Sequence, residues 1–165
     1  MTAIGDGSFY RRENIQVVRL PKTVTRIGRS AFSGCNSLYS VVWHATLRTI
    51  DEYAFCMDNS LDSIVLPDSL KHLERYAFAL CGSLQKVTMP ENLVSFHGNA
   101  FLRCDRLKRI VLKQTTPPQV MNIGVKMIFQ NIRFDIPHEA MSLYRKDEFW
   151  SKQNITVNAL VDEHK

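Results

Sequence analysis

The chain has 165 residues, 45% of them hydrophobic and 22% charged, ordinary proportions that exclude wholesale disorder and a fibrous composition. Lys and Arg number 21 against 16 Asp and Glu, and the net +5 is spread along the chain, too diffuse to mark a partner. No apolar run approaches the roughly 18 residues of a membrane-crossing helix, so no membrane insertion is expected.

From its first residues the sequence repeats. Ile4, Ile27, Ile50, Leu73 and Phe96 stand 23 residues apart and open five units without insertion or deletion between them. Phe9, Phe32, Phe55, Phe78 and Phe101 share a rung, preceded by Ser8, Ala31, Ala54, Ala77 and Ala100. Val18, Val41, Ile64, Val87 and Ile110 form a further rung, and Leu20, Trp43, Leu66, Met89 and Leu112 another. Pro21, Pro67 and Pro90 then punctuate three units, with His44 and Lys113 in their place in the other two. One 23-residue unit holds too few apolar residues to enclose a core, so the units must stack and share one. This predicts an α/β repeat solenoid of five coils over residues 1–113. The segment from Leu61 to Pro67 alternates like a strand with Ile64 and Leu66 inward. The small residue and Phe, followed by Ser33 to Ser37 or Leu80 to Ser83, predict a short helical turn and a bend on the opposite side.

The unit from Ile27 through Gly28, Ala31, Phe32, Cys35 and Leu38 to Val41 resembles the IGxxAFxxCxxLxxV repeat of the BspA-like leucine-rich repeat family, and the resemblance runs from Ile4 to Leu112. It implies a right-handed leucine-rich repeat solenoid. It also implies a bacterial cell-surface or secreted protein of the adhesin type, binding host or bacterial proteins. Thr116 to Pro118, Phe134 to Pro137, Tyr144 and Trp150 resemble the ending of such proteins.

A stacked array needs its ends covered. Residues 114–165 are expected to form the C-terminal cap. It would hold one helix between His138 and Lys152, bearing Met141, Tyr144, Phe149 and Trp150, with short strands at Ile132 to Ile136 and Ile155 to Val157 on either side. Asp162 to Lys165 is expected to fray. At the other end Ile4 opens a unit at once, and Met1 to Asp6 lacks the basic region and apolar stretch of a secretory signal. The expectation is the C-terminal piece of a longer array.

Cys35, Cys81 and Cys104 share one rung, with Arg12 and Asp58 in the remaining units, and Cys56 lies two residues before Asp58. Cys81 and Cys104 fall on adjacent coils, about 5 Å apart, a spacing a disulfide permits. Parallel side chains suit a bridge poorly, so buried free thiols are expected, with the pairing of these two left open. No C-x-x-C or paired-histidine spacing points to a metal, and no GxSxG, HExxH, P-loop or GxGxxG motif points to a cofactor or a catalytic site. His72 and His97 lie near one another in register, but two histidines make no catalytic site. The chain is read as no enzyme. Arg103, Arg106, Lys108, Arg109 and Lys113 cluster in the fifth unit only, without interleaved aromatics, so no nucleic acid is expected.

What remains is surface. The outward positions of the predicted strands are Val17, Ser40, Ser63, Lys86 and Arg109, and beside them Arg19, Val42, Val65, Thr88 and Val111. They would line an exposed concave sheet. Contiguous exposed apolar area tends to mark an interaction site. The expected protein-binding residues are Tyr39, Ser40, Val42, His44, Ser63, Val65, Lys86, Thr88, Arg109 and Val111, with an extracellular matrix or host surface protein as the implied ligand. The alternative is a spacer or capping region with no ligand of its own, the exposed valines then reflecting only strand propensity.

Overall fold

A computed structural model describes residues 2–121, 129 and 131–158; the tail expected to fray lies outside them. The coils stack in parallel through two sets of strands. The first set is β1 (Ala3–Ile4), β3 (Arg26–Ile27), β5 (Thr49–Ile50), β7 (His72–Leu73), β9 (Ser95–His97) and β11 (Gln119–Met121), hydrogen-bonded in that order as one sheet. The second comprises β2 (Val17–Arg19) paired with β4 (Ser40–Val42), and separately β6 (Ser63–Val65), β8 (Lys86–Met89), β10 (Arg109–Leu112), β12 (Arg133–Pro137) and β13 (Ile155–Asn158). The register follows the repeat: Ile4 pairs with Ile27, Ile27 with Ile50, Ile50 with Leu73 and Leu73 with Phe96. The family's leucine-rich repeat solenoid is therefore present, with six coils where the sequence predicts five. The sixth is reached by a step of one extra residue, since Ser95 pairs with Gln119 and Arg109 with Arg133. That insertion takes Val120 and Phe134 out of the 23-residue register.

The phenylalanine rung forms a stack inside the coils. Ring centroids are 5.0, 5.3, 5.1 and 5.8 Å apart from Phe9 to Phe101, with planes within 13° of parallel. Ala31, Ala54, Ala77 and Ala100 are wholly buried beside them, where a larger side chain would meet the next coil.

The predicted helical turn does not develop into a helix: the N–H groups beside the ring close single turns, as Ala31 on Gly28 and Ser33 on Ser30, but the ring residue's own does not. Instead the N–H of Phe9, Phe32, Phe55 and Phe78 donates to the carbonyl of Ala31, Ala54, Ala77 and Ala100 in the following coil, each at 2.8 Å. Donors spent between coils cannot close a helix within one. The backbone achieves this with left-handed residues on both sides of the ring: Gly7, Ser30, Tyr53 and Tyr76 before it, and Arg11, Gly34, Met57, Leu80 and Arg103 after it, all at positive φ. Only Gly34 and Gly7 are glycines, and a side chain in this region costs roughly 1 kcal/mol. Arg103 is exposed and in the same backbone state as Gly34 (φ 59° and 77°). Arg103→Gly should therefore raise the stability to urea by about 0.5–1 kcal/mol, whereas Arg103→Val should lower it. Equal effects of the two changes would contradict the left-handed turn.

After β12 the chain turns through a short 3-10 helix (His138–Ala140), α1 (Met141–Lys146) and a second 3-10 turn (Trp150–Lys152). The single helix expected over this stretch is broken at Asp147, whose backbone is extended. Its Oδ1 accepts the N–H groups of Phe149 and Trp150, each at 2.9 Å, and so restarts the turn. Trp150 then points inward against Phe134, Tyr144 and Phe149, with centroids 5.1–5.4 Å away. Its Nε1 donates to the Pro118 carbonyl at 3.0 Å.

Candidate functional site

On the second face the ladder is interrupted. β2 pairs with β4 and β6 with β8, but β4 and β6 do not pair with each other. The same two coils remain joined elsewhere, through β3 and β5 and through the Phe32 N–H on the Ala54 carbonyl. The break coincides with the one large residue on its rung. Leu20, Leu66, Met89 and Leu112 are at most 3% exposed, whereas Trp43, on the same rung, is half-buried. Its indole stands edge-on to Phe55 at 5.7 Å. An indole exceeds the volume that a leucine leaves, so it cannot sink to the depth of its neighbours. His44 follows it where Pro21 and Pro67 close the turn in the flanking units.

The result is a groove of about 590 Å³, with Val41, Trp43, Ile64 and Leu66 among its apolar lining and Tyr39, Ser40, Ser63 and Val65 beside them. Lys113, from two coils further on, reaches Asp68 at 3.2 Å at its edge. Tyr39 is 54% exposed and Val65 59%, large apolar surfaces that a folded chain leaves open only at some cost in solvation. The groove can accept apolar or aromatic side chains from a partner, and its two unpaired strand edges offer backbone donors and acceptors.

Of the ten residues expected on the binding face, the groove brings together Tyr39, Ser40, Ser63 and Val65. Val42 and His44 lie half-buried nearby, outside its lining. The C-terminal half of the face is closed. Lys86 is exposed, but Thr88 is buried, Val111 is half-buried, and Arg109 is ion-paired with Asp135. Asp135 is itself fully buried and also takes Arg133 at 2.8 Å. The sequence pattern places Trp43 among the inward residues, gives Asp68 no role and puts Lys113 only in the turn and in the basic cluster of the fifth unit. The available signal was the size of Trp43, coupled to the loss of proline at His44.

Residues 2–133 match the model of the BspA type leucine rich repeat region, in six copies. The chain belongs to this family. Solved structures agree on the fold. A leucine-rich repeat protein of T. pallidum is 28% identical with a TM-score of 0.70, over 82% of this chain and 62% of that one. A leucine-rich cell surface protein from Faecalibacterium prausnitzii is 24% identical with a TM-score of 0.64, over 74% of this chain and 30% of its own. The pneumococcal vaccine antigen PcpA is 18% identical with a TM-score of 0.72, over 95% of this chain and 41% of its own. The chain thus spans between about a third and three fifths of these proteins. No curated protein matches it.

Proposed function

We propose that this BspA-type array is a non-catalytic protein-binding module of a bacterial cell-surface or secreted protein, and that it holds its protein ligand in the groove between the second and third coils. The observation that supports this reading is the interrupted ladder: at one rung of an otherwise regular stack, two strand edges and exposed Tyr39 and Val65 flank an apolar floor. The cell-surface part rests on the family and on the resemblance to surface proteins. Extracellular matrix and plasma proteins are the ligands to try first, with no nucleic acid or membrane among the partners.

The test is binding of the purified chain to immobilised fibronectin, fibrinogen and related proteins at physiological and high salt. Saturable binding that survives high salt should fall at least tenfold in a Val65→Glu variant, a loss of about 1.4 kcal/mol or more, with the melting temperature unchanged because Val65 is exposed. Binding that salt removes entirely would leave only the +5 charge as the attraction. A module that binds nothing would be the spacer of the alternative reading, which its span of only part of the longer relatives favours.

A further inference from the structure

Asp58 stands on the cysteine rung of the third coil, between Cys35 and Cys81, and is fully buried. In three other coils the residue on this rung makes the same bond. The thiols of Cys35, Cys81 and Cys104 donate to the carbonyls of Phe9, Phe55 and Phe78, each 26 residues earlier, at 3.2, 3.1 and 3.0 Å. The same offset assigns the Phe32 carbonyl to position 58. Asp58 Oδ1 accepts the Cys35 N–H at 2.8 Å, while Oδ2 is buried and receives no donor.

A carboxylate can only accept, and a buried one without donors at one oxygen carries a large desolvation cost. Asp135 shows the other solution: equally buried, it lies between the guanidinium groups of Arg109 and Arg133. Among the described residues no Lys, Arg or His pairs with Asp58. The titratable groups that face it are thiols: Cys35 from the second coil, Cys56 from its own and Cys81 from the fourth, with Cys104 beyond. Burial pushes Cys35 and Cys56 up to about 11, with the Asp58 charge adding to it where that carboxyl is ionised, so these thiols stay neutral below that range. Burial likewise pushes the Asp58 carboxyl up to about 8, against the N–H groups of Cys35 and Gly34, which favour its charged form.

We propose that Asp58 is held as a neutral carboxylic acid whose O–H replaces the thiol of this rung and donates to the Phe32 carbonyl, so that folding binds a proton and acid stabilises the array. The unfolded carboxyl releases its proton near pH 3.9. The folded chain keeps it to a higher pH, so this contribution is complete below about pH 4, declines as pH rises through the window up to about 8, and is constant above it.

The test compares the full chain with Asp58→Asn, whose neutral amide has the same shape, by urea unfolding from about pH 4 to 9. The ratio of the wild-type to the variant folding constant should fall by up to about tenfold per pH unit across the window and then level off. A ratio independent of pH overturns the proposal. The wild type alone supplies a second readout that does not depend on the variant's folding. Its infrared spectrum at about pH 6, where free carboxyls are ionised, should show a carboxylic acid carbonyl band that disappears at about pH 9. Asp58→Cys, which restores the thiol of the rung, should lack that band. Absence of the band in the wild type at about pH 6 would also overturn the proposal.

Discussion

Replacing Phe78 by alanine is expected to destabilise the chain by about 3–5 kcal/mol, the range for emptying a fully buried aromatic site. Phe78 has no exposed surface and lies between the rings of Phe55 at 5.1 Å and Phe101 at 5.8 Å. Its removal loses the transfer energy of the ring, leaves a cavity and ends two stacking contacts worth about 0.5–1.5 kcal/mol each. The coils on either side cannot collapse into the gap, because their backbones are tied by the 2.8 Å bonds of the Phe55 and Phe78 N–H groups. Phe9 occupies the same rung but is 38% exposed and stacks on Phe32 alone. Phe9→Ala should therefore cost only about 1–2 kcal/mol. Urea unfolding of the two variants decides the matter. Equal losses, or a Phe78→Ala loss under about 1 kcal/mol, would mean that the rung is not the shared core of the stack.

The rung was legible in the sequence because a residue buried between coils recurs in every coil, and the period of 23 exposes it directly. Strand existence was legible only where a strand is long enough to alternate. Ser63–Val65 shows inward Ile64 between outward neighbours, whereas Arg26–Ile27 and Thr49–Ile50 are too short to alternate. The sheet they build was therefore not foreseen, although Ile27 and Ile50 were correctly aligned. The helical turn stopped short of a helix for a different reason. Alanine, serine and phenylalanine in sequence carry no sign of the left-handed backbone at Tyr53 or Leu80, which the neighbouring coil imposes through its hydrogen bonds. At the candidate site the pattern put Ser63 and Val65 outward, and both are exposed, but it put Val42 and Thr88 outward as well, and these are half-buried and buried. It could not show that Asp135, from a coil outside the 23-residue register, would draw in Arg109 and close the other half of the face. Nor could a repeat alignment show that Trp43, aligned with four buried aliphatic residues, marks an interruption between strands.

Trp150→Ala should produce a loss of similar size, about 3–5 kcal/mol, but with a different distribution along the chain. Trp150 is 1% exposed and touches Phe96, Phe134, Tyr144 and Phe149, so it ties the cap to the fifth and sixth coils. Alanine also leaves the buried Pro118 carbonyl without the indole donor it now has, a further cost of about 1–3 kcal/mol if no water replaces it. In a solenoid each coil packs chiefly on its neighbours, and here the Lys113–Asp68 pair is an exposed exception, so stability lost at one end need not reach the other. Hydrogen exchange separates the two outcomes. Amides of β10, β12 and β13 should lose protection in the variant, while those that join the coils at Phe9, Phe32 and Phe55 keep most of theirs. Uniform loss across all coils would show instead that the stack opens as one cooperative unit and that the cap stabilises the groove between β4 and β6 from a distance. In that case Trp150→Ala would weaken ligand binding at the groove as well as stability, and the cap would have to be counted among the elements that hold the candidate site in shape.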